Sequence, residues 1–161
     1  MQNDRRSNSS NNSAAQMIAR GVSRFFQRRN ETCLTEFTLN TGRRVDIATL
    51  DAKGQITIVE IKTSLSDFRA DKKWPNYLPF CDRFYFAVPE NFPLDILPEA
   101  HGLIVSDSFE AEILRDAPVG RMNAARRRAL TLRFAHTAAN RLRRYTDPPR
   151  RQGKNAGVSL W

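Results

Sequence analysis

The sequence has few cysteines and no long apolar run. Its two cysteines, Cys33 and Cys81, fit neither a CxxC pair nor a Cys/His zinc spacing, and two isolated cysteines do not make a secreted disulfide framework. We therefore expect buried, reduced thiols. No apolar stretch approaches the roughly 20 residues of a membrane-spanning helix, and the first basic residues are not followed by the apolar segment of a signal peptide. These absences predict a soluble, cytoplasmic protein without membrane contacts.

Acidic residues are scarce at both ends of the chain. Residues 121–161 hold eleven Lys or Arg against one acid, Asp147, and residues 1–30 hold six against one, Asp4. The middle, residues 31–120, holds nine basic and fifteen acidic side chains. Cationic ends beside an acidic body are typical of a protein that grips a polyanion next to a carboxylate site, although charge that only maintains solubility is the plain alternative.

Composition predicts three parts. Residues 1–13 are rich in Asn and Ser and bury too little apolar area to offset their ordering entropy, so we expect a disordered arm. Residues 14–146 form one domain, because 40% apolar residues can build a core without disulfides. Residues 147–161 contain two prolines and several basic residues, which predicts a flexible cationic tail.

Within the domain, the apolar spacing predicts an α/β fold with a central mixed sheet of about five strands flanked by helices. A capping box of Ser13 and Gln16 begins a first helix, which ends near Arg29. Two tight turns, NTG and DAKG, join three strands, and the second turn makes strands two and three antiparallel neighbours. A second helix over 66–80 begins with Ser66 as its cap, and Pro75 in its interior should kink or end it. Two further strands and an amphipathic helix complete the domain.

Three charged side chains interrupt the apolar strands two and three. Asp46 lies in VDI, and Glu60 and Lys62 lie in IVEIK. Because side chains alternate along a strand, Glu60 and Lys62 project from one face, which Asp46 can reach from the antiparallel neighbour. Two carboxylates and an ammonium among apolar residues are unfavourable unless they pair or bind a cation. Mg²⁺ prefers such carboxylate oxygens, with Mn²⁺ as a second candidate, so Asp46 and Glu60 are the predicted metal ligands.

Bound to these carboxylates, the metal would acidify a water and polarise a scissile phosphate. Lys62 would orient that water or stabilise charge on the phosphorane oxygens, and the predicted reaction is phosphodiester hydrolysis. In the alternative, Glu60 and Lys62 pair with each other or with Arg44 on a solvated face of the sheet. The spacing D…ExK alone does not exclude that alternative, since it often arises by accident.

The order of the elements resembles the PD-(D/E)XK nuclease superfamily: a helix, a strand hairpin with an Asp, a strand with ExK, a helix and two more strands. More narrowly, residues 19–142 resemble the MmcB-type bacterial DNA repair proteins in LTEFTL, GRRVDI, VEIKTSLSDFRADKKWPNY and CDRFYFAVP. The resemblance implies a restriction-endonuclease-like fold and a role in DNA repair. It also implies that Asp46, Glu60 and Lys62 occupy the motif positions of the superfamily.

The sequence departs from the superfamily pattern in three respects. Val45 replaces the motif proline. Trp74 and Tyr77 stand where many superfamily nucleases place a glutamine, and for these two we favour core packing over base stacking, since the second helix must cover the sheet. The first helix lacks the Glu that many members carry, which makes Glu36 on the first strand a further candidate metal ligand.

Basic residues near this site predict DNA contacts. Lys72 and Lys73 follow the strand with ExK, and at about 100° per residue Arg126, Arg133 and Arg144 fall within roughly 20° of each other on the last helix. A solvated face is the alternative for this arginine sector, but eleven cations against one acid exceed what solubility needs. Such contacts to phosphates set affinity without reading sequence.

These residues favour a metal-dependent DNA nuclease that acts in DNA repair, with DNA and other repair proteins as its partners. The rival hypothesis is a non-catalytic DNA-binding or repair-scaffold module with the same fold. An RNA-binding protein ranks last, because the sequence has neither clustered RNP aromatics nor a GXXG loop. His101 and His136 are solitary, so we expect no His-based catalysis.

Overall fold

The chain forms a six-stranded sheet with helices on both faces. The computed structural model describes residues 3–148, with side chains from Ser13 onwards. In chain order the elements are α1 (Asn3–Arg28), β1 (Thr32–Thr38), β2 (Arg44–Leu50), β3 (Ile56–Ile61), α2 (Leu65–Ala70), β4 (Arg83–Val88), β5 (Gly102–Ser106), β6 (Ala111–Arg115) and α3 (Ala124–Thr146). Two 3-10 helices, Trp74–Phe80 and Leu94–Ile96, precede and follow β4.

The strands lie in the sheet in their order along the chain. β1, β2 and β3 form an antiparallel meander, β3, β4 and β5 are parallel, and β6 is antiparallel to β5. The predicted α/β class with a mixed sheet flanked by helices is confirmed, and so is the antiparallel pairing of the second and third strands. The sheet has six strands rather than about five because Ala111–Arg115 adds an edge strand. This strand is short, charged and only half-buried, which is typical of a protected edge and gives a weak signal in the sequence.

Each face of the sheet packs against its own helices. α1 covers one face, and α3 covers the other together with the 3-10 helix that precedes β4. β3 lies between the two layers, and all of its residues are buried. A charged residue on β3 therefore lies in the interior, where it needs a partner. The apolar side chains that α1 and α3 bury are Ile18, Val22, Phe26, Leu130 and Phe134.

α1 begins earlier than the capping box at Ser13 predicts. The sequence predicts disorder over residues 1–13, whereas the helix runs from Asn3 to Arg28. Extending a helix that already packs on a sheet adds one hydrogen bond for each residue fixed, so residues of modest helix propensity can join it. Of the predicted tail, only Asp147 and Pro148 lie within the described residues. No helix within residues 3–148 is both long and apolar enough to cross a membrane.

The second helix is shorter than predicted. The sequence predicts a helix over 66–80 that Pro75 kinks or ends, but α2 already ends at Ala70, and a separate 3-10 helix begins at Trp74. Pro75 explains the restart, since proline lacks an N–H and is accepted in the first turn of a helix but not in its interior. The side chain of Ser64, rather than that of Ser66, caps α2 by accepting the N–H of Asp67.

The two cysteines are free, as predicted. Cys81 is buried and Cys33 is partly buried. Burial raises the pKa of both thiols to about 12, so neither is a thiolate nucleophile near neutral pH.

Candidate metal and DNA site

Asp46 lies where β2 and β3 stop pairing. The last paired residues on this side are Ile47 and Val59. Beyond them, Oδ2 of Asp46 accepts a hydrogen bond from the backbone N–H of Ile61 at 2.7 Å. At this position a side-chain oxygen replaces the backbone carbonyl as the acceptor between the two strands. The carboxylate is thereby fixed at the fork between the two strands, beside the charged residues of β3.

The fork coincides with a break in the strand pleat. Glu36 of β1 lies opposite Asp46 and has a φ of 48°, in the left-handed region that residues other than glycine rarely adopt. Val45 and Ile47 are two residues apart but enter opposite cores, which an unbroken pleat would not allow. Strict alternation therefore fails at Asp46. Backbone strain of this kind is concentrated at functional sites.

Contacts from two helices brace the hairpin of β1 and β2. Arg141 of α3 donates to the backbone carbonyls of Thr35 and Glu36 at 2.6 and 3.0 Å. The Tyr77 hydroxyl, from the 3-10 helix, donates to the carbonyl of Arg44 at 3.2 Å. The Glu36 carboxylate and the Arg44 guanidinium are 3.6 Å apart and exposed, so this ion pair contributes little.

Glu60 of β3 and Lys62, which directly follows this strand, are in contact, as expected for side chains on one face, and both are buried. Nζ of Lys62 donates to Oε1 of Glu60 at 3.3 Å and to Oδ2 of Asp71 at 2.6 Å. Asp71 directly follows α2, so this short helix closes over the lysine. The pairing that the alternative interpretation expected is present, but it lies in the interior rather than on a solvated face.

Oε2 of Glu60 is buried and has no hydrogen-bond partner among the described residues. A buried carboxylate oxygen without a partner is unfavourable by about 1 to 3 kcal/mol or more, and a proton or a cation relieves that cost. A proton or a cation bound at Oε2 of Glu60 would therefore stabilise this cluster.

The cluster has strongly shifted protonation equilibria. Burial, with a further contribution from the Asp46 carboxylate, raises the pKa of Glu60 to about 8. Burial also raises the pKa of Asp46, against the hydrogen bond from Ile61. For Lys62, burial lowers the pKa, but Glu60 and the hydrogen bond to Asp71 outweigh it, and the net shift is upward. The pKa shift of Lys62 favours its cationic form, and that of Glu60 favours its protonated form more than in an ordinary glutamate.

An open cleft beside α1 leads to Asp46. Its volume is about 630 Å³, and it lies between α1 and the hairpin of β1 and β2. Asp46 therefore faces a cleft with cationic walls, while Glu60 and Lys62 are buried. The charged residues that line the cleft are Asp46, Glu36, Arg20, Arg24 and Arg44.

The donor set suits a magnesium ion better than a metal that needs a preformed cage. Among the side chains that the structure describes, residues 13–148, no three of His, Cys, Asp or Glu converge as a metal-holding group. Mg²⁺ needs only one or two protein carboxylates, since it keeps several waters. Asp46 and the free oxygen of Glu60 are the two carboxylates that could hold such an ion. Glu36, the further candidate, lines the same cleft but is paired with Arg44.

The residues predicted to contact DNA are exposed. Lys72 and Lys73 follow α2, beside the site. Arg126 donates to a carbonyl of the 3-10 helix that precedes β4 at 3.0 Å, and Arg133 donates to the last carbonyl of β1 at 2.6 Å. These two arginines thus also hold α3 on the body of the protein. Arg144 is exposed in the last turn of α3, and DNA contact by these five residues stays a prediction.

Trp74 and Tyr77 pack in the core, the interpretation favoured from the sequence. The Trp74 ring stacks on Phe84 with centroids 5.7 Å apart and meets His101 edge-on at 5.0 Å. Tyr77 is 4% exposed. His101 thus belongs to an aromatic cluster, where burial lowers its pKa.

Two residues of the site were not identified from the sequence. Asp71 is one of several charged residues after α2, and only the folded chain brings it to Lys62. Arg141 is one of eleven cations near the end of the chain, and only its contact with Glu36 distinguishes it. A buried lysine needs a second carboxylate when the first is protonated, and that requirement is the one signal that could have prompted a search for Asp71.

The chain is similar to a known protein family and to a solved structure. A sequence model of the family described as "DNA repair protein MmcB-like" matches residues 2–149, which include the whole sheet and the site. Among solved structures, a protein of unknown function from Silicibacter pomeroyi is similar, with 39% identity and a TM-score of 0.81. The similarity covers 91% of this chain and 97% of that one. None of the curated proteins matches the chain.

Proposed function

Since the chain belongs to the MmcB-like family of DNA repair proteins, we propose that it acts in repair as a metal-dependent DNA nuclease of the PD-(D/E)XK type. The reaction is the hydrolysis of a phosphodiester bond at Asp46, Glu60 and Lys62. The family supplies the process, DNA repair, and the chemistry of the site supports the reaction. The order of α1, the hairpin, the strand with ExK, α2 and two parallel strands supports the superfamily.

The free oxygen of Glu60 carries this proposal. It is buried beside a second carboxylate, Asp46, which faces an open cleft. Burial and, secondly, the negative charge of Asp46 raise the pKa of Glu60, so ionised Glu60 is unfavourable without a further positive charge. Asp46 and Glu60 would hold a divalent cation, which would supply that positive charge.

Asp46 and Glu60 would hold Mg²⁺ or Mn²⁺, with Glu36 as a further candidate. When bound, the metal would acidify a water and polarise the scissile phosphate. The backbone N–H of Ile61 keeps Asp46 oriented through one of its oxygens. Lys62 has three N–H donors and uses two, so after a shift of α2 or Asp71 that opens the site the third could donate to the attacking water or to a phosphate oxygen.

A second candidate function is that of a DNA-binding module that cleaves nothing. The observation in its favour is that Lys62 is held between Glu60 and Asp71, while Asp46 alone of the three motif residues lines the cleft. Under this hypothesis the cluster only stabilises the fold. Hydrolysis requires instead that α2 or Asp71 shifts when DNA binds.

Asp46→Asn separates the two functions. The amide keeps an oxygen that can accept from Ile61, but it loses the negative charge with which the Asp46 carboxylate would hold Mg²⁺. We expect cleavage of labelled single-stranded, duplex or branched DNA to fall about a thousandfold or more. Binding in EDTA should stay within about twofold of wild type, since exposed arginines provide it. The measurement is product formation on gels with Mg²⁺, Mn²⁺ or EDTA, beside binding by fluorescence anisotropy.

Asp116→Asn is the matched control, because it makes the same chemical change on an exposed residue. It should cleave like wild type, and thermal unfolding should show that both variants are folded. Wild-type protein that binds DNA but yields no product with either metal would overturn the nuclease and favour the binding module.

A further inference from the structure

Three arginines form a stripe along α1. Arg20, Arg24 and Arg28 are spaced by four residues, which advances a helix by about 6 Å and keeps side chains on one face. All three are exposed. Arg20 and Arg24 line the cleft that reaches Asp46, and Arg24 and Arg28 line a second recess of about 400 Å³. The two openings share Arg24, so the stripe leads from one into the other.

Phe109 lies at the far end of this stripe and is 68% exposed. It belongs to the turn between β5 and β6, where Oδ1 of Asp107 accepts the N–H groups of Phe109 and Glu110 at 2.6 and 2.8 Å. The Arg24 guanidinium lies 5.8 Å from the centre of the Phe109 ring and donates to the carbonyl of Ser108 at 3.3 Å. A pinned turn thus holds an aromatic ring in solvent next to the arginines.

The fixed distance between the stripe and the ring depends on Gly21. A Cβ at this position would overlap the carbonyl oxygen of Asp107 and the hydroxyl of Ser106. α1 therefore approaches the turn so closely that only glycine fits. The ring of Phe109 contributes little to the core in this position, and an aromatic ring presented on a rigid support is suited to bind a flat ligand.

We propose that the arginine stripe and Phe109 form a track for single-stranded DNA, with phosphates along the arginines and an unstacked base on the Phe109 ring. Cations interleaved with an aromatic ring hold single strands in this way without reading their sequence. Bases in a duplex are stacked on each other and cannot lie on the ring. The inference rests on the proposed action on DNA and adds the form of the substrate, a single-stranded segment that leads into the cleft at Asp46.

Two carboxylates besides Asp46 lie along the track. Glu110 is 3.8 Å from Arg28, and Glu36 is 3.6 Å from Arg44. Both pairs are exposed, so they open readily and phosphates can take over the arginines. Because Glu110 competes with phosphate for Arg28, Glu110→Gln should tighten the binding of single strands about twofold.

The test is equilibrium binding of the full chain in EDTA to three labelled ligands of equal length: a single strand, a duplex and a single strand of abasic nucleotides. Phe109→Ala should weaken binding of the ordinary single strand about tenfold and leave the duplex and abasic strand within about twofold. Phe109→Trp should restore the affinity. Arg20→Gln with Arg28→Gln should lower the slope of log K against log salt by about 1.4 for both single strands.

The matched control is Arg121→Gln with Arg128→Gln, which removes the same charge from exposed positions outside the stripe. It should change the salt slope less than the stripe variant does. The proposed track would be overturned if the two double variants lowered the salt slope equally. It would also be overturned if Phe109→Ala weakened the binding of all three ligands equally. Cleavage by wild type together with normal binding by Phe109→Ala would refute the track and leave the nuclease standing. No cleavage by wild type, together with the expected loss of single-strand binding in Phe109→Ala, would refute the nuclease and leave the track.

Discussion

Replacing Glu60 by glutamine is expected to abolish metal-dependent cleavage and to flatten the dependence of stability on pH between about pH 5 and pH 8. The first effect follows from the loss of one of two proposed metal ligands and should be about a thousandfold or more. The second follows from the raised pKa of Glu60, about 8, which results mainly from burial and secondly from Asp46. One substitution thus tests both the chemistry and the electrostatics of the site.

The sign of the pH effect is determined by where the proton binds. Glu60 holds its proton more tightly in the folded chain than in the unfolded chain, where a glutamate has a pKa of roughly 4.3. Between the two pKa values the folded state binds more protons, so the free energy of unfolding falls as pH rises. A glutamine cannot lose a proton, and the variant should therefore become more stable relative to wild type from about pH 5 to pH 8.

Thermal unfolding of both proteins over this pH range, without metal, measures the effect. Glu112→Gln on β6 is the control, since Glu112 is exposed and should give a constant difference from wild type. At pH 8, added Mg²⁺ should raise the unfolding temperature of wild type and not that of Glu60→Gln, because only ligand binding to the folded state stabilises it. A difference between Glu60→Gln and wild type that does not change with pH would contradict the buried, protonated carboxyl.

Residue types and spacing were sufficient to predict a cluster of charged side chains at β2 and β3. Asp46, Glu60 and Lys62 interrupt apolar strands, and such an interruption is visible in any one sequence. The geometry around them was not predictable, because Glu36 gives no signal that its backbone enters the left-handed region. Gly or Asn at that position would have indicated it. The strand was therefore expected to alternate through Asp46, and the access of this residue to the α1 side of the sheet was missed.

Long-range partners were the other part that the sequence did not reveal. Periodicity places a side chain on a face of its own element, but it does not say which distant residue that face will meet. Periodicity groups Arg126, Arg133 and Arg144 as one sector of α3. The arginine of α3 that binds a buried carboxylate is instead Arg127, which follows Arg126 in the chain and lies outside that sector. Its partner is Asp82, which lies 45 residues earlier in the chain.

Replacing Asp82 by alanine is expected to lower the free energy of unfolding by about 3 to 5 kcal/mol. The Asp82 side chain is 2% exposed, and both of its oxygens accept from the Arg127 guanidinium, at 2.5 and 2.6 Å. Oδ2 also accepts the N–H of Ile56, the first residue of β3, at 2.8 Å. Alanine would leave that N–H and much of the guanidinium without a partner at the point where α3 joins the sheet.

Urea unfolding of Asp82→Ala and of Asp147→Ala gives a direct comparison. Asp147 forms a pair with Arg143 that is exposed on both sides, so its loss should cost less than about 0.5 kcal/mol. Similar values for the two variants would show that the buried pair does not hold α3. A double-mutant cycle with Arg127→Met should yield a coupling energy of about 1 to 3 kcal/mol, since the two residues share their hydrogen bonds.

The same ion pair has a pH dependence opposite to that of Glu60. Burial raises the pKa of Asp82, but the hydrogen bonds from Arg127 and from the backbone outweigh it, and the net shift is downward. Its contribution to stability is therefore complete above the usual pKa of an aspartate, about 3.9, and is lost as pH falls further. Asp82→Ala and wild type should thus converge in stability below about pH 4, while Glu60→Gln and wild type diverge toward pH 8. Two buried carboxyls in one sheet are distinguished by their partners: Asp82 has a guanidinium on both oxygens, and Glu60 has one oxygen left for a proton or a metal.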